Sequence, residues 1–216
     1  DIKWFIAQIQ SRRPEGAKIH SLKYSQVKFE PYKGFSILES DQYQANGEIP
    51  KDIAPCKVCR SEILDPNNRR YMYPFTNCSE CGPRFSLLDS PPFDRANTAM
   101  KAFKLCPICA SEYESMEDRR FYAQTICCSA CGPKLAFQNV HSSISDPKKA
   151  LDSAVQCIGE GGILLLKGIG GYQYVCRPDH LQAVEKIKDL KNRKRKSFAV
   201  MVPNLEWCEG RLELSE

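Results

Sequence analysis

The sequence is short of several things, and each shortage excludes something. It has no run of eighteen apolar residues, so no stretch suits a membrane-spanning helix. No charged-then-apolar segment of secretory type opens it. Histidine is scarce: His20, His141 and His180 have no ligand spacing to any cysteine, so imidazole is not expected in a metal site. Net charge is also modest, at +5, and much of it sits in one stretch from Lys186 to Lys196. Residue 1 is Asp rather than Met, which gives the expectation that the chain is a piece of a longer protein. The remaining balance, 42% hydrophobic and 26% charged, is that of a globular protein.

Cysteine, by contrast, is plentiful. Eight of the twelve fall into a doubled pattern. Cys56, Cys59, Cys78 and Cys81 form C-x2-C-x18-C-x2-C, and Cys106, Cys109, Cys128 and Cys131 repeat it. The match runs beyond cysteine. Ser61-Glu62 returns as Ser111-Glu112, and Arg69-Arg70-Tyr71 as Arg119-Arg120-Phe121. The C-S-x-C-G-P from Cys78 to Pro83 returns from Cys128 to Pro133. A constant offset of 50 residues marks an internal duplication of one small unit.

In each half, two knuckles bring four thiolates from two tight turns, enough to close one tetrahedral site. Zinc suits it, accepting four sulfurs at about 2.3 Å without redox chemistry. Disulfides are the bland alternative. A repeated double C-x2-C without a secretory pattern points instead to metal in a reducing compartment, hence the cytoplasm. Cys127 competes with Cys128 as a ligand; the repeat alignment favours Cys128, the counterpart of Cys78. Gly82 and Gly132 fall where a knuckle turn needs positive φ. Cys157, Cys176 and Cys208 are expected as small core residues.

The patterning divides the chain into three. Residues 1–44 read as helix, strand, strand. Ile2, Phe5, Ile6 and Ile9 share a helical face ended by Pro14 and Gly16. Apolar residues alternate in part over Lys18–Phe29, and Gly34 precedes a short strand, Phe35–Glu39. Such a segment needs partner strands. After a polar linker, residues 54–140 are the zinc pair, with only scattered strands, because metal binding replaces a core. A Pro- and Asp-rich connector, Ser90–Arg95, joins its halves. Residues 145–216 read as α/β. Asp146 caps a helix with Pro147 at its first position, and Ala150, Leu151, Ala154, Val155 and Ile158 form its buried stripe. The run Ile163–Leu166 predicts a strand buried on both faces, with Lys167-Gly-x-Gly-Gly after it. A second helix turns Leu181, Val184, Ile187 and Leu190 inward, and Phe198–Val202 predicts another strand. The fold class is α+β and multidomain.

With these residues in view, the sequence closely resembles the hydrogenase-maturation carbamoyltransferases of the HypF type. The resemblance rests on the doubled unit and on RRYMYPFTNCSECGPRFS, PFDRANTAM and CPICASEYESMEDRRFYAQ within it. The flanks agree. Residues 1–44 resemble the C-terminal half of an acylphosphatase-like (ferredoxin-like) domain. Residues 145–216 resemble the start of a YrdC-like nucleotide-binding domain, through LLLKGIGGYQYVC and LKNRKRKSFAVM. The resemblance implies a multistep enzyme. An acylphosphatase-like domain hydrolyses carbamoyl phosphate, and a YrdC-like domain joins the carbamate to ATP as carbamoyl adenylate. A further domain passes the carbamoyl group to the C-terminal cysteine of a partner maturation protein, on the way to a cyanide ligand of nickel–iron hydrogenase. It also implies that the acylphosphatase Arg and Asn, the later YrdC-like half and the transfer domain lie outside this chain. The family usually has Pro where this chain has Ser197.

The implied cofactors are two structural Zn2+, with ATP and carbamoyl phosphate as substrates. Lys191-x-Arg193 falls on the K-x-R motif of YrdC-like domains. A Lys point charge and an Arg fork suit phosphates, with a solvated basic loop as the competing account. Lys167 is the third candidate contact, beside glycines that allow close backbone approach or simply turn the chain. Catalytic residues are not assignable. Arg69, Arg70, Arg119 and Arg120 either line a path for carbamate or brace the knuckles, and bracing is the expectation. A second reading is a non-catalytic zinc-ribbon module binding RNA or protein. The basic stretch suits salt-sensitive, non-specific RNA contact, with no interleaved aromatic platform for bases.

Overall fold

The computed structural model describes residues 1–13, 17, 19–28, 34, 49–193, 195–209 and 211. They fall into two compact units, Asp1–Lys134 and Leu135–Glu216.

The first unit opens with α1 (Ile2–Ser11), capped by Asp1, whose carboxylate accepts from the Lys3 N–H at 3.0 Å. No residue of α1 is buried; Ile2, Trp4 and Phe5 are exposed. The strand expected over Lys18–Phe29 is not formed by described residues 19–28, which meet no ladder partner among the described residues. Pro14, Gly16 and the strand expected over Phe35–Glu39 lie outside the described residues.

The duplication is carried by the backbone. α2 (Lys57–Leu64) and α3 (Pro107–Glu114) have 8 residues each and start on equivalent positions, directly after a knuckle cysteine. Neither was legible in the cysteine spacing. The Cys56 sulfur accepts from the Cys59 N–H at 3.5 Å, so sulfur takes the capping role usually held by oxygen. Pro107 occupies the first helical position, where an N–H has no helical partner. After each helix the chain turns on an Asn68 or Asp118 side chain, which accepts from the N–H of Arg70 at 2.9 Å or Arg120 at 2.7 Å. Met72 and Tyr122 then take positive φ, 55° and 52°. This left-handed backbone costs roughly 1 kcal/mol or more per non-glycine residue. Hydrogen bonds from the Met72 N–H to Ile63 O and from the Tyr122 N–H to Tyr113 O, both 2.9 Å, hold it in place.

Among the described residues of this unit the strand content is two isolated bridges, Ile53 with Gly82 and Leu88 with Thr98. The core is built around cysteine. One cluster joins Cys59, Cys78 and Cys81, with Ile53 and Cys56 packed on it. A second joins Cys109, Ala123, Ile126 and Cys128. A third, Tyr73, Met100 and Cys127, is flanked by Phe75, Leu87 and Phe103. The connector is fastened by Arg95, whose guanidinium donates to the carbonyls of Gln124, Ile126 and Phe103 at 2.9, 2.9 and 2.7 Å.

The second unit begins with a short antiparallel pair, β1 (Phe137–Gln138) and β2 (Ser143–Ile144). α4 (Pro147–Gly159) follows, with Asp146 accepting from the Lys149 N–H at 2.8 Å. Ala150 is buried, whereas Val155 is exposed and falls outside the expected stripe. β3 (Leu164–Gly168) and β4 (Gly171–Val175) pair antiparallel, Leu164 opposite Val175 and Gly168 opposite Gly171. This corrects the expectation of burial on both faces: Leu165 and Leu166 are 52% and 42% exposed. The glycines turn the chain, one of the two readings given for them, and β3 takes as its ladder partner the residues that follow at once, a strand that the expected helix–strand–helix–strand order did not include. α5 (Leu181–Leu190) starts on His180, whose Nδ1 accepts from the Ala183 N–H at 3.2 Å. It buries Ala183 and Ile187 and leaves Leu181 and Leu190 exposed. No strand forms over Phe198–Val202, which no ladder reaches. α6 (Leu205–Cys208) ends on buried Cys208; Cys157 and Cys176 are half-buried. Among the described residues no helix is long and apolar enough to cross a membrane.

Candidate metal centres

The eight knuckle sulfurs gather into two groups of four, Cys56 with Cys59, Cys78 and Cys81, and Cys106 with Cys109, Cys128 and Cys131; within each, all sulfurs lie within 4.8 Å of one another. Neighbouring sulfurs are spaced 4.0 Å for Cys56–Cys78 and 3.7 Å for Cys78–Cys81. In the second group Cys106–Cys128 is 3.8 Å and Cys128–Cys131 is 3.7 Å. A regular tetrahedron with zinc–sulfur bonds of 2.3 Å has edges of about 3.8 Å, so both groups fit such an ion. They do not fit disulfides, whose sulfurs lie about 2.05 Å apart, and all twelve cysteines are free.

Cys128 belongs to the second group and Cys127 does not. Cys127 is buried in the third cluster, where the Tyr73 hydroxyl donates to its sulfur at 3.5 Å. Of the two knuckle glycines, Gly82 has the expected positive φ, 105°. Gly132 does not; it is required for space, since a Cβ there would lie 2.2 Å from the Tyr73 hydroxyl oxygen and 2.6 Å from Cys127 Cβ.

The arginines do brace the knuckles, but each braces the other repeat. Arg119, from the second repeat, donates to the first group: Cys56 at 3.0 Å, Cys59 at 3.3 Å and Cys78 at 3.2 Å. Arg69, from the first repeat, donates to the second: Cys106 and Cys109 at 3.5 Å and Cys128 at 3.1 Å. Arg70 and Arg120, 2% and 4% exposed, fix the exchange. Arg70 Nε donates to Cys127 O at 3.1 Å and Arg120 Nε to Asn77 O at 3.0 Å. Both arginines of each pair meet the glutamate of the opposite helix, Glu112 for Arg69 and Arg70, Glu62 for Arg119 and Arg120. These glutamates were missed in the sequence, although the repeated Ser-Glu was their signal.

The environment divides the knuckle sulfurs, favouring thiolate at Cys78 and Cys106 and opposing it, chiefly through burial and neighbouring thiols, at Cys59, Cys81 and Cys109. The Cys59 thiol donates to Cys78, which together with the charge of Arg119 pulls Cys78 down to about 4. The same bond, with burial, pushes Cys59 up. Burial works against Cys106, but the Cys109 N–H and neighbouring thiols outweigh it and bring it to about 6. Burial also opposes Glu112 ionisation, and the Arg70 hydrogen bond and charge override it, holding the carboxyl below its usual range.

In the second unit, Lys167 lies opposite Tyr172 and Leu165 opposite Tyr174, and directly opposed residues share a face. Lys167 Nζ stands 5.1 Å from the Tyr172 ring centre. Lys191, at the C-terminal cap of α5, places Nζ 5.4 Å from that of Tyr174. Two expected phosphate contacts are thus brought over neighbouring tyrosines on one hairpin face. Arg193 follows two residues on, exposed, its N–H donating to Lys188 O at 2.9 Å.

A duplicated four-cysteine finger with exchanged arginines defines a tandem-finger protein. The family described as "HypF finger" matches residues 56–88 and 105–138. The Sua5/YciO/YrdC family, described as "Telomere recombination", matches residues 156–215. Over nearly its whole length the chain is similar to one part of the HypF carbamoyltransferases. It is 42% identical over 202 residues to "Carbamoyltransferase HypF" of Synechocystis, covering 93% of this chain and 26% of the relative. To "Probable carbamoyltransferase HypF" of Methanocaldococcus jannaschii it is 43% identical over 219 residues, 100% of this chain and 28% of the relative. The chain therefore spans about a quarter of the length of these curated relatives. Full-length HypF, solved in a phosphate- and nucleotide-bound form, is similar with a TM-score of 0.85 at 34% identity, over 96% of this chain and 27% of that one. T. kodakarensis HypF gives 0.83 at 34% identity, over 100% and 27%.

Proposed function

We propose that the chain serves carbamoyl transfer of the HypF type. Carbamoyl phosphate and ATP give carbamoyl adenylate, and the carbamoyl group passes to the C-terminal cysteine of a hydrogenase-maturation partner. The observation that carries this reading is the doubled four-sulfur core, at tetrahedral spacing, in a chain whose relatives are named carbamoyltransferases. Residues 1–44 take the part of an acylphosphatase-like segment, and free thiols throughout suit a reducing cytoplasm.

Cys56, Cys59, Cys78 and Cys81 hold one zinc, and Cys106, Cys109, Cys128 and Cys131 the other. Four thiolates close each site and leave no position for water or substrate, so the metal is structural. Lys167, Lys191 and Arg193 take the phosphates. The tyrosines orient the two ammonium groups without neutralising them, so their charge stays available to a phosphate. A relative solved with phosphate and nucleotide supports a nucleotide role for these residues.

Calorimetry of ATP binding to the zinc-loaded chain, with and without carbamoyl phosphate, tests the reading. Lys191→Ala and Arg193→Ala are each expected to weaken ATP binding about tenfold, the size of one charge-assisted hydrogen bond. Zinc content should stay at two per chain. Unchanged affinity in the variants would remove these residues from the site. No ATP binding at all, with steeply salt-dependent RNA binding, would hand the chain to the zinc-ribbon reading.

A further inference from the structure

We propose that Arg69 and Arg119 make the two metal sites one thermodynamic unit, so that metal enters and leaves both together. The inference rests on the reading of both sulfur groups as metal sites.

Arg69 lies between the two knuckles of the first repeat, Cys56–Cys59 and Cys78–Cys81, so its position is set when the first site closes. Its guanidinium acts elsewhere. It donates N–H bonds to three sulfurs of the second group and pairs with Glu112 on α3 at 3.2 Å. The next residue, Arg70, is buried against Cys127 O and Glu112, which locks the first-repeat turn onto the second repeat. Arg119 and Arg120 return every one of these contacts to the first group, Asn77 O and Glu62.

The electrostatic consequence is direct. Four thiolates around a divalent ion carry a net charge of about −2, so assembling either site gathers unbalanced negative charge. Closing the first site delivers a fixed cation, with N–H groups already aimed at sulfur, to the second. A charge-assisted donor placed in advance lowers the cost of forming the second thiolate cluster. Linkage requires the second site to favour the first by the same factor. The arginines reach across 37 to 63 residues of sequence, so neither repeat has them by itself.

Native mass spectrometry of the metal-free 216-residue chain, given one equivalent of zinc, counts ions per molecule. Independent equal sites leave about half the molecules with a single ion. A coupling of about 100-fold, within the usual range, leaves about a tenth. The wild type is expected near the lower figure. The Arg69→Ala/Arg119→Ala double variant is expected near half, while still holding two ions at saturating zinc. A wild type near half overturns the proposal, and so does a double variant that keeps the wild-type distribution. If that variant cannot hold two ions, Arg69→Lys, which keeps the charge but loses the fork, should raise the single-ion species severalfold; no rise overturns the coupling. Failure of the metal reading looks different: no zinc in any species, and no thiolate-to-cobalt absorption on adding cobalt.

Discussion

Arg70 is buried to 2% exposure, and Glu112 beside it to 17%. Removing the carboxylate would leave a buried cation without its ionic partner. Glu112→Gln is therefore expected to cost about 3 kcal/mol, read as a fall in denaturation midpoint of the zinc-loaded chain. Lys101 and Asp89 form an ion pair of ordinary length, 2.8 Å, with both ends exposed. Lys101→Ala should cost less than about 0.5 kcal/mol. Equal effects from the two substitutions would show that burial does not govern these pairs. At this scale the ligands were legible in the sequence because knuckle spacing is local: two residues separate the cysteines of each pair. Cys127 was resolvable only through the repeat, which aligns it with Asn77, and both are buried. The partners of the arginines were not legible. A guanidinium and the sulfurs it touches are dozens of positions apart, and spacing alone does not say which repeat receives it.

Helix ends were readable where one side chain decides them. Asp146 before Pro147 caps α4 as the sequence indicates. Asp146→Ala should lower stability by about 1 kcal/mol, seen as faster amide exchange in the first turn of α4. No change there would mean that packing, not the cap, fixes this end. The hairpin was misread because a short apolar run does not distinguish a doubly buried strand from one with a single partner. A better signal followed it: Gly170-Gly171, then Tyr-x-Tyr alternation over Tyr172 to Tyr174, reads as a tight turn and a second strand. α2 and α3 escaped because each is only 8 residues long and starts on a local device, the Cys56 sulfur for α2 and Pro107 for α3, rather than on a long apolar stripe.

For the molecule as a whole, the two units draw on different sources of stability. In the first, every cluster contains cysteine; in the second, the buried residues are Ala150, Ala183, Ile187 and Cys208 among those described. Chelation of zinc should therefore abolish amide protection over residues 53–134, where metal binding and folding are one event. Protection in α4 and α5 should persist. Loss of both together by hydrogen exchange would show that the second unit depends on the first. The exchange of arginines has one more consequence. Contacts returned 50 residues later are those of a two-fold axis, the symmetry by which identical subunits pair. A lone finger would find a home for its arginine only in another copy of itself. The segment from Pro83 to Leu105 therefore works as a tether: it presents the second finger to the first at an effective concentration on the order of millimolar, independent of how dilute the protein is.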